Sequence, residues 1–198
     1  MDGSASIITD LIRGSGVASR SGAAGAHVSL EQLLAARDYR VACQAAALAR
    51  FARPLVSMTV VMPGPVKDGP LPRSVLAEAL REVHAMSSAR EWPVLSRQIR
   101  WKNTGPEAIY VVDVGAQLLK AATVQLEDQH PLGRLWDLDV IEPGQRMLSR
   151  KQLGLRARRC LVCERPAAEC GRARWHSLQE LLAVMQRIVN SYDGNLHS

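Results

Sequence analysis

Between Pro54 and Ile141 the apolar residues change period from two to about 3.6 and back, twice over, and that order leaves few folds open. The stretch "PLVSMTVV", Pro54 to Val61, is rich in β-branched residues and is stopped by Pro63, Gly64 and Pro65, so it reads as a strand. From Ser74 to about Ser88, Leu76, Ala79, Leu80 and Val83 share one helical stripe. "PVLSRQIRW" and "EAIYVVDV" then read as two strands joined by the turn residues "KNTG". Ala116 to about Asp128 is again helical, and Arg134 to Ile141 returns to period two before "EPGQ" closes it. The β-α-β-β-α-β order predicts an α+β domain: a ferredoxin-like antiparallel sheet with helices on one face.

Two more helices flank this unit. "SLEQ" sets a capping Ser29 three residues before Gln32, and Leu30, Leu34, Val41 and Leu48 recur at helical spacing to about Phe51. Ser177 and Glu180 repeat the capping pattern ahead of Leu178, Leu181, Leu182, Met185, Ile188 and Val189. Residues 1–27, with "GSGVASRSGAAGA" at their centre, read as a flexible tail. Residues 28–192 form a single domain that includes a Cys/His-rich segment, 156–176, and 193–198 form a short C-terminal tail. A length of 198 residues with 47% hydrophobic content fits one well-buried domain and not two large ones. No apolar run approaches the roughly 18 residues of a spanning helix, and "MDGSASIITD" lacks the features of a leader, so a soluble cytoplasmic protein without membrane partners is expected.

Strand alternation isolates a polar site. In the last strand Trp136, Leu138 and Val140 point one way, and Leu135, Asp137, Asp139 and Ile141 the other. The first strand divides alike, with Val56, Met58 and Val60 against Leu55, Ser57, Thr59 and Val61, and Asp113 lies opposite Tyr110 and Val112. One sheet face is therefore expected to be core and the other polar, with Asp137 and Asp139 at its centre. Two carboxylates on one strand face sit about 6–7 Å apart at Cα, so both can reach one divalent cation, and Mg²⁺ suits a shell shared by carboxylates and phosphates. The competing reading is an exposed acidic pair neutralised by Arg134 or Arg97.

Cysteines and arginines crowd together farther on. Cys160-x2-Cys163-x6-Cys170-x5-His176 has the ligand number and softness of a structural zinc site, with a reduced cysteine group free of metal as the alternative. Cys43 reads as a small buried hydrophobe. Lys67, Lys102, Lys120 and Lys151 are the only lysines among 25 basic residues, and eight arginines fall between Arg146 and Arg174. Arg presents a planar fork matched to phosphate and carboxylate, so the patch suits a phosphate-rich ligand or an acidic partner. Arg158 and Arg159 beside the cysteines, and Lys67 in the proline-rich loop, are candidate phosphate contacts. His84 and His130 read as ordinary partners.

"PGPVK", "HPLGRLWDLDV", "LSRKQLGL", "RRCLVC" and "RARWHSLQELL", in this order from Val28 to Val189, resemble the apo-citrate lyase phosphoribosyl-dephospho-CoA transferases, the CitX family. The resemblance implies a nucleotidyltransferase-type enzyme. It would move the phosphoribosyl-dephospho-CoA group from triphosphoribosyl-dephospho-CoA to a serine of the citrate lyase acyl carrier subunit, releasing diphosphate. Asp137 and Asp139 would then be the catalytic carboxylates on Mg²⁺, with Arg134 first among the phosphate contacts and Lys67, Arg158 and Arg159 behind it. Cys160, Cys163, Cys170 and His176 remain candidate zinc ligands. Three alternatives stand beside this: another carrier, such as that of malonate decarboxylase; a different nucleotidyltransferase-type α/β arrangement; and a non-catalytic zinc-knuckle module holding RNA or an acidic protein. The last is disfavoured because 4% aromatics, with Trp136 and Trp175 core-like, make no stacking platform, so no nucleic-acid partner is expected.

Overall fold

The computed structural model describes residues 25–196. Residues 1–24 and 197–198, which carry most of the expected N-terminal tail and the end of the C-terminal one, lie outside them. Helix α1 (Leu30–Phe51) opens with the capping box read from the sequence: Gln32 N–H donates to Ser29 Oγ at 3.2 Å and Ser29 N–H to Gln32 Oε1 at 2.9 Å. Such a cap is worth about 1 kcal/mol. Strand β1 (Leu55–Val60), helix α2 (Pro70–Ala89), the hairpin β2 (Val94–Lys102) and β3 (Gly105–Val112), helix α3 (Ala116–Gln129) and strand β4 (Trp136–Glu142) follow. Helix α2 begins four residues earlier than the apolar stripe suggested, because proline at the first helical turn loses no hydrogen bond there.

A short strand, a 3₁₀ turn (Arg150–Leu153) and two helices come after β4. "EPGQ" does not merely end the strand. Gly144 (φ 93°) and Gln145 (φ 64°) turn the chain into a short β5 (Arg146–Leu148) paired back on β4. Helix α4 (Ala167–Ala173) lies within the Cys/His segment, and α5 (Leu178–Leu196) ends the described chain. Each of the five strands runs antiparallel to its neighbours in the order β2-β3-β1-β4-β5, so the fold is α+β with β1 central.

The main core joins Val56, Met58, Tyr110, Trp136, Leu138 and Val140 to Val75, Leu76, Ala79 and Val83 of α2, Leu119 of α3 and Met185 of α5. Trp136 is fully buried and its indole N–H donates to Val75 O at 3.0 Å. The expectation that helices occupy one face is corrected here. Helix α1 crosses the other face and seats Ala47 and Leu48 on Leu55, Ile109, Val111 and Ile141. Of the stripe expected for α1, Leu48 is buried but Leu30, Leu34 and Val41 are exposed, and the side facing the sheet runs Arg40, Gln44, Ala47, Leu48. A pattern mixing an arginine, an amide and alanine carries little hydrophobic signal, yet it matches a sheet face that is half apolar and half polar.

Candidate active site

Register places the acidic pair within that half-covered face. Asp139 of β4 lies opposite Ser57 of β1, and Asp137 opposite Thr59; on the far side of β1, Thr59 faces Glu107 of β3 and Ser57 faces Ile109. Helix α1 reaches down onto this row. Gln44 Nε2 donates to Ser57 Oγ at 2.8 Å, and Arg40 donates to Glu107 Oε2 at 2.7 Å, while Arg100 of β2 donates to Glu107 Oε1 at 2.8 Å. Glu107 is thus a buried carboxylate held between two guanidiniums, and Arg40 also bears on Asp139.

Asp139 is the perturbed group. Its carboxyl is raised to about 6, first by burial and then by the charge of Asp137, with Glu127 adding and Lys120 and Arg40 opposing. The two charges from α3 are present for a structural reason. Strand β5 is too short to cover Leu138, so α3 side chains take the place of a neighbouring strand: Glu127 Oε1 accepts from Leu138 N–H at 2.9 Å and Lys120 Nζ donates to Leu138 O at 3.0 Å. Arg150 donates to the other oxygen of Glu127 at 2.5 Å. The edge of β4 is therefore satisfied by ions, and their field reaches Asp139 on the same strand.

Arg158 continues that edge. Its Nη2 donates to Trp136 O and, at 2.6 Å, to Arg134 O, which sets Nη1 3.6 Å from Asp137 Oδ1 and 3.9 Å from Glu127 Oε1. Of the four cations singled out in the sequence, Arg158 is the one that contacts the acidic pair.

Arg134 is not on the strand. It sits in a 3₁₀ turn, Gly133–Leu135, which only glycine at its head permits, since a Cβ on Gly133 would meet Glu127 O and Leu126 O at 2.5 Å. From there its guanidinium turns to the Cys/His segment, donating to Arg159 O at 3.2 Å and to Cys160 O. Lys67 lies in the loop after β1, at the sheet end where β4 begins, and donates to Met62 O; burial lowers its pKa. Arg159 is exposed and paired with exposed Glu164.

The sulfur cluster comes together as its spacing suggested. The donor atoms of Cys160, Cys163, Cys170 and His176 all lie within 4.8 Å of one another, and all four cysteines of the chain are free thiols. Burial, with the neighbouring Cys163 and Cys160, pushes the Cys170 thiol up to about 12; burial raises Cys160 as well, but the backbone N–H groups of Val162 and Cys163 together with the Cys170 and Cys163 thiols lower it by more. A second group, Glu78, Glu82 and His130, is compact but internally paired: Arg81 and the Tyr192 hydroxyl both bond Glu78, and His130 stacks on Trp136 at 4.4 Å. A shallow groove of about 440 Å³ beside it, between α2 and α3, is on the helix-covered side and does not open onto the aspartates.

Residues 28–192 match the family model described as apo-citrate lyase phosphoribosyl-dephospho-CoA transferase. Proteins of that name from Citrobacter koseri, Escherichia coli O1:K1 / APEC and Shigella boydii serotype 18 are 44%, 42% and 41% identical to this chain. The Citrobacter alignment spans 85% of this chain and 92% of the relative, and the other two span 84% and 91%. The chain belongs to the apo-citrate lyase phosphoribosyl-dephospho-CoA transferase family. The matched region opens at Val28, which is buried and bonds Pro65 O at 2.9 Å, and closes at Tyr192, which anchors α5 on α2. It takes in the acidic pair and the sulfur cluster together.

Sequence reasoning missed Lys120, Glu127, Arg40, Gln44 and Glu107. Charged residues in a helix read as its solvated face, and only the short reach of β5 reveals that two of them serve as strand partners. Trp175, read as core-like, is half exposed with the Arg165 guanidinium 4.1 Å from its ring centroid, whereas Trp136 is core. Among the described residues no helix is long and apolar enough to cross a membrane.

Proposed function

We propose that this chain transfers the phosphoribosyl-dephospho-CoA group from triphosphoribosyl-dephospho-CoA to a serine of the citrate lyase acyl carrier subunit. The carrier serine oxygen bonds to the phosphorus nearest the ribose, the bond to diphosphate breaks, and the serine proton is released. The observation that carries the site assignment is the pairing of Asp137 and Asp139 on one strand face, with Asp139 half-buried and its carboxyl raised to about 6 and Arg158 beside Asp137.

That donor set fits a hard divalent cation, because the charge of Asp137 that helps raise the Asp139 carboxyl is neutralised when a cation lies between the two. Asp137 and Asp139 would hold Mg²⁺, which supplies neutralisation of the triphosphate and of charge developing on diphosphate. Arg158 is already oriented by backbone carbonyls and meets the phosphates without further ordering. Lys67, at the same sheet end, exchanges the Met62 carbonyl for phosphate. Arg134 acts through the Cys/His segment as a positioning residue, and Arg159, with the exposed Arg156, Arg165, Arg172 and Arg174, steers an acidic carrier toward the site. The strand order and the paired helices α2 and α3 support a ferredoxin-like sheet extended by β5. Free cysteines fit a cytoplasmic protein. No nucleic-acid role is assigned.

The test is intact-mass spectrometry of apo acyl carrier subunit incubated with this protein, Mg²⁺ and triphosphoribosyl-dephospho-CoA. A mass gain equal to one phosphoribosyl-dephospho-CoA group, absent with D137N and with D139N, is the expected result. No gain with folded protein and a carrier that a homologous transferase modifies would overturn the carrier assignment. Full activity in both variants would overturn the site.

A further inference from the structure

The segment from Leu155 to His176 has almost no apolar core. Within it only Cys160 and Cys170 are buried, and Leu161 leans partly on the main cluster. Its path is nevertheless well defined. Cys160 N–H donates to Arg165 O at 2.7 Å and closes a tight turn, Arg159 and Pro166 form an isolated bridge, and α4 carries Cys170 before Arg174 ends it at φ 50°. His176 directly precedes the Ser177–Glu180 capping box of α5. A turn, a short helix and the start of a long one thus converge on four side chains. Burial of so little apolar surface cannot offset the conformational entropy of ordering the segment, so another interaction must fix it.

Donor geometry identifies that interaction. Cys163 Sγ lies 3.5 Å from Cys170 Sγ and 3.3 Å from His176 Nε2. With metal–sulfur bonds of about 2.3 Å and metal–nitrogen bonds of about 2.0–2.1 Å, a tetrahedral centre sets its sulfur–sulfur edges near about 3.8 Å and its sulfur–nitrogen edges near about 3.6 Å. The observed separations are within a few tenths of an ångström of those edges. Val162 N–H also donates to Cys160 Sγ at 3.5 Å, holding that sulfur within the tight turn.

We propose that Cys160, Cys163, Cys170 and His176 bind one zinc ion as a closed structural site that fixes this segment against the start of β4. Three thiolates select a soft cation, and four protein donors leave no position for a catalytic water. The link to β4 is a crossed pair of arginines. Arg134 reaches from the turn to the carbonyls of Arg159 and Cys160, and Arg158 reaches back to the carbonyls of Arg134 and Trp136. Arg158 is the side chain beside Asp137, so the ion positions the acidic pair's partner from outside the reacting centre. The zinc assignment stands independently of which carrier the chain modifies.

Elemental analysis of the full chain, purified under reducing conditions without chelator, is expected to give one zinc per chain. Cobalt substitution is expected to give tetrahedral d–d absorption with a thiolate charge-transfer band. C163A should retain less than a tenth of the metal, and H176C, which keeps four soft donors, should retain it. Because C163A can fail to fold, the wild-type protein supplies a second readout: chelation should expose Arg158, Arg159, Arg165, Arg172 and Arg174 to trypsin while the sheet domain stays intact by circular dichroism. Metal-free folded wild type, iron in place of zinc, a Cys163–Cys170 disulfide, undiminished zinc in C163A, or tryptic cleavage unchanged by chelation would each overturn the proposal.

Discussion

Replacing Asp139 by Asn should make the protein more stable, and by an amount that depends on pH. The folded-state carboxyl lies at about 6 against an ordinary 3.8. A rise of roughly two units corresponds to about 3 kcal/mol of penalty on the ionised native state. The folded value is raised above the unfolded one, so between these two values the native protein binds more protons than the unfolded chain. Stability therefore falls as pH rises through that window and levels off above it. Asn keeps the shape and cannot ionise. D139N is expected to match wild type near pH about 4 and to exceed it by up to about 3 kcal/mol at pH about 8, which is roughly 6–12 °C in Tm for a chain of this size. Urea unfolding of both proteins across this range, without added divalent cation, measures the difference at each pH and cancels what they share, including any titration of the Cys/His cluster. Mg²⁺ should then narrow the gap by stabilising wild type alone, by about 2.7 kcal/mol at a hundred times its Kd. A gain of equal size at both ends of the range, a loss at high pH, or equal stabilisation of both proteins by Mg²⁺ would refute the reasoning.

Other substitutions test the parts that hold this site. K120M leaves the Leu138 carbonyl without its donor and removes a cation that opposes the rise at Asp139, so it should destabilise by about 1–3 kcal/mol in urea unfolding and move the pH dependence of D139N's advantage upward. G133A drives a methyl group into the carbonyls of Leu126 and Glu127, and a loss of about 1–3 kcal/mol or more is expected in the same assay. R158Q should lower kcat/KM for triphosphoribosyl-dephospho-CoA by about 10–100-fold, the scale of a charge-assisted phosphate contact, with fold and zinc content unchanged by circular dichroism and elemental analysis.

How much could be read in advance follows from where each signal resides. Strand β4 announced itself because alternation is a local property: the same period that buried Trp136, Leu138 and Val140 also put Asp137 and Asp139 on one opposite face. The sulfur cluster was legible for a related reason, since four donors close in sequence have few ways to be far apart in space. Residues whose role depends on how far another element extends were not legible. Nothing in "QLLKAATVQLEDQ" marks Lys120 and Glu127 as different from any solvated helix charges. They become buried because β5 has only three residues and leaves Leu138 with a free N–H and C=O that α3 is positioned to satisfy.

That division also explains why Arg134 was misplaced and Arg158 undervalued. Counting along a strand assigns Arg134 a face beside Asp137, but the close approach of Gly133 to α3 winds the chain into a 3₁₀ turn and sends the Arg134 side chain toward Cys160. The charge lost to the acidic pair is restored from the segment Arg134 now holds, because Arg158 crosses back over the same turn to within 3.6 Å of Asp137. A cation at that position depends on the folding of the Cys/His segment rather than on strand register. The two features that seemed separate in the sequence, an acidic pair and a cysteine cluster that begins 21 residues after Asp139, are therefore coupled through one exchange of arginines.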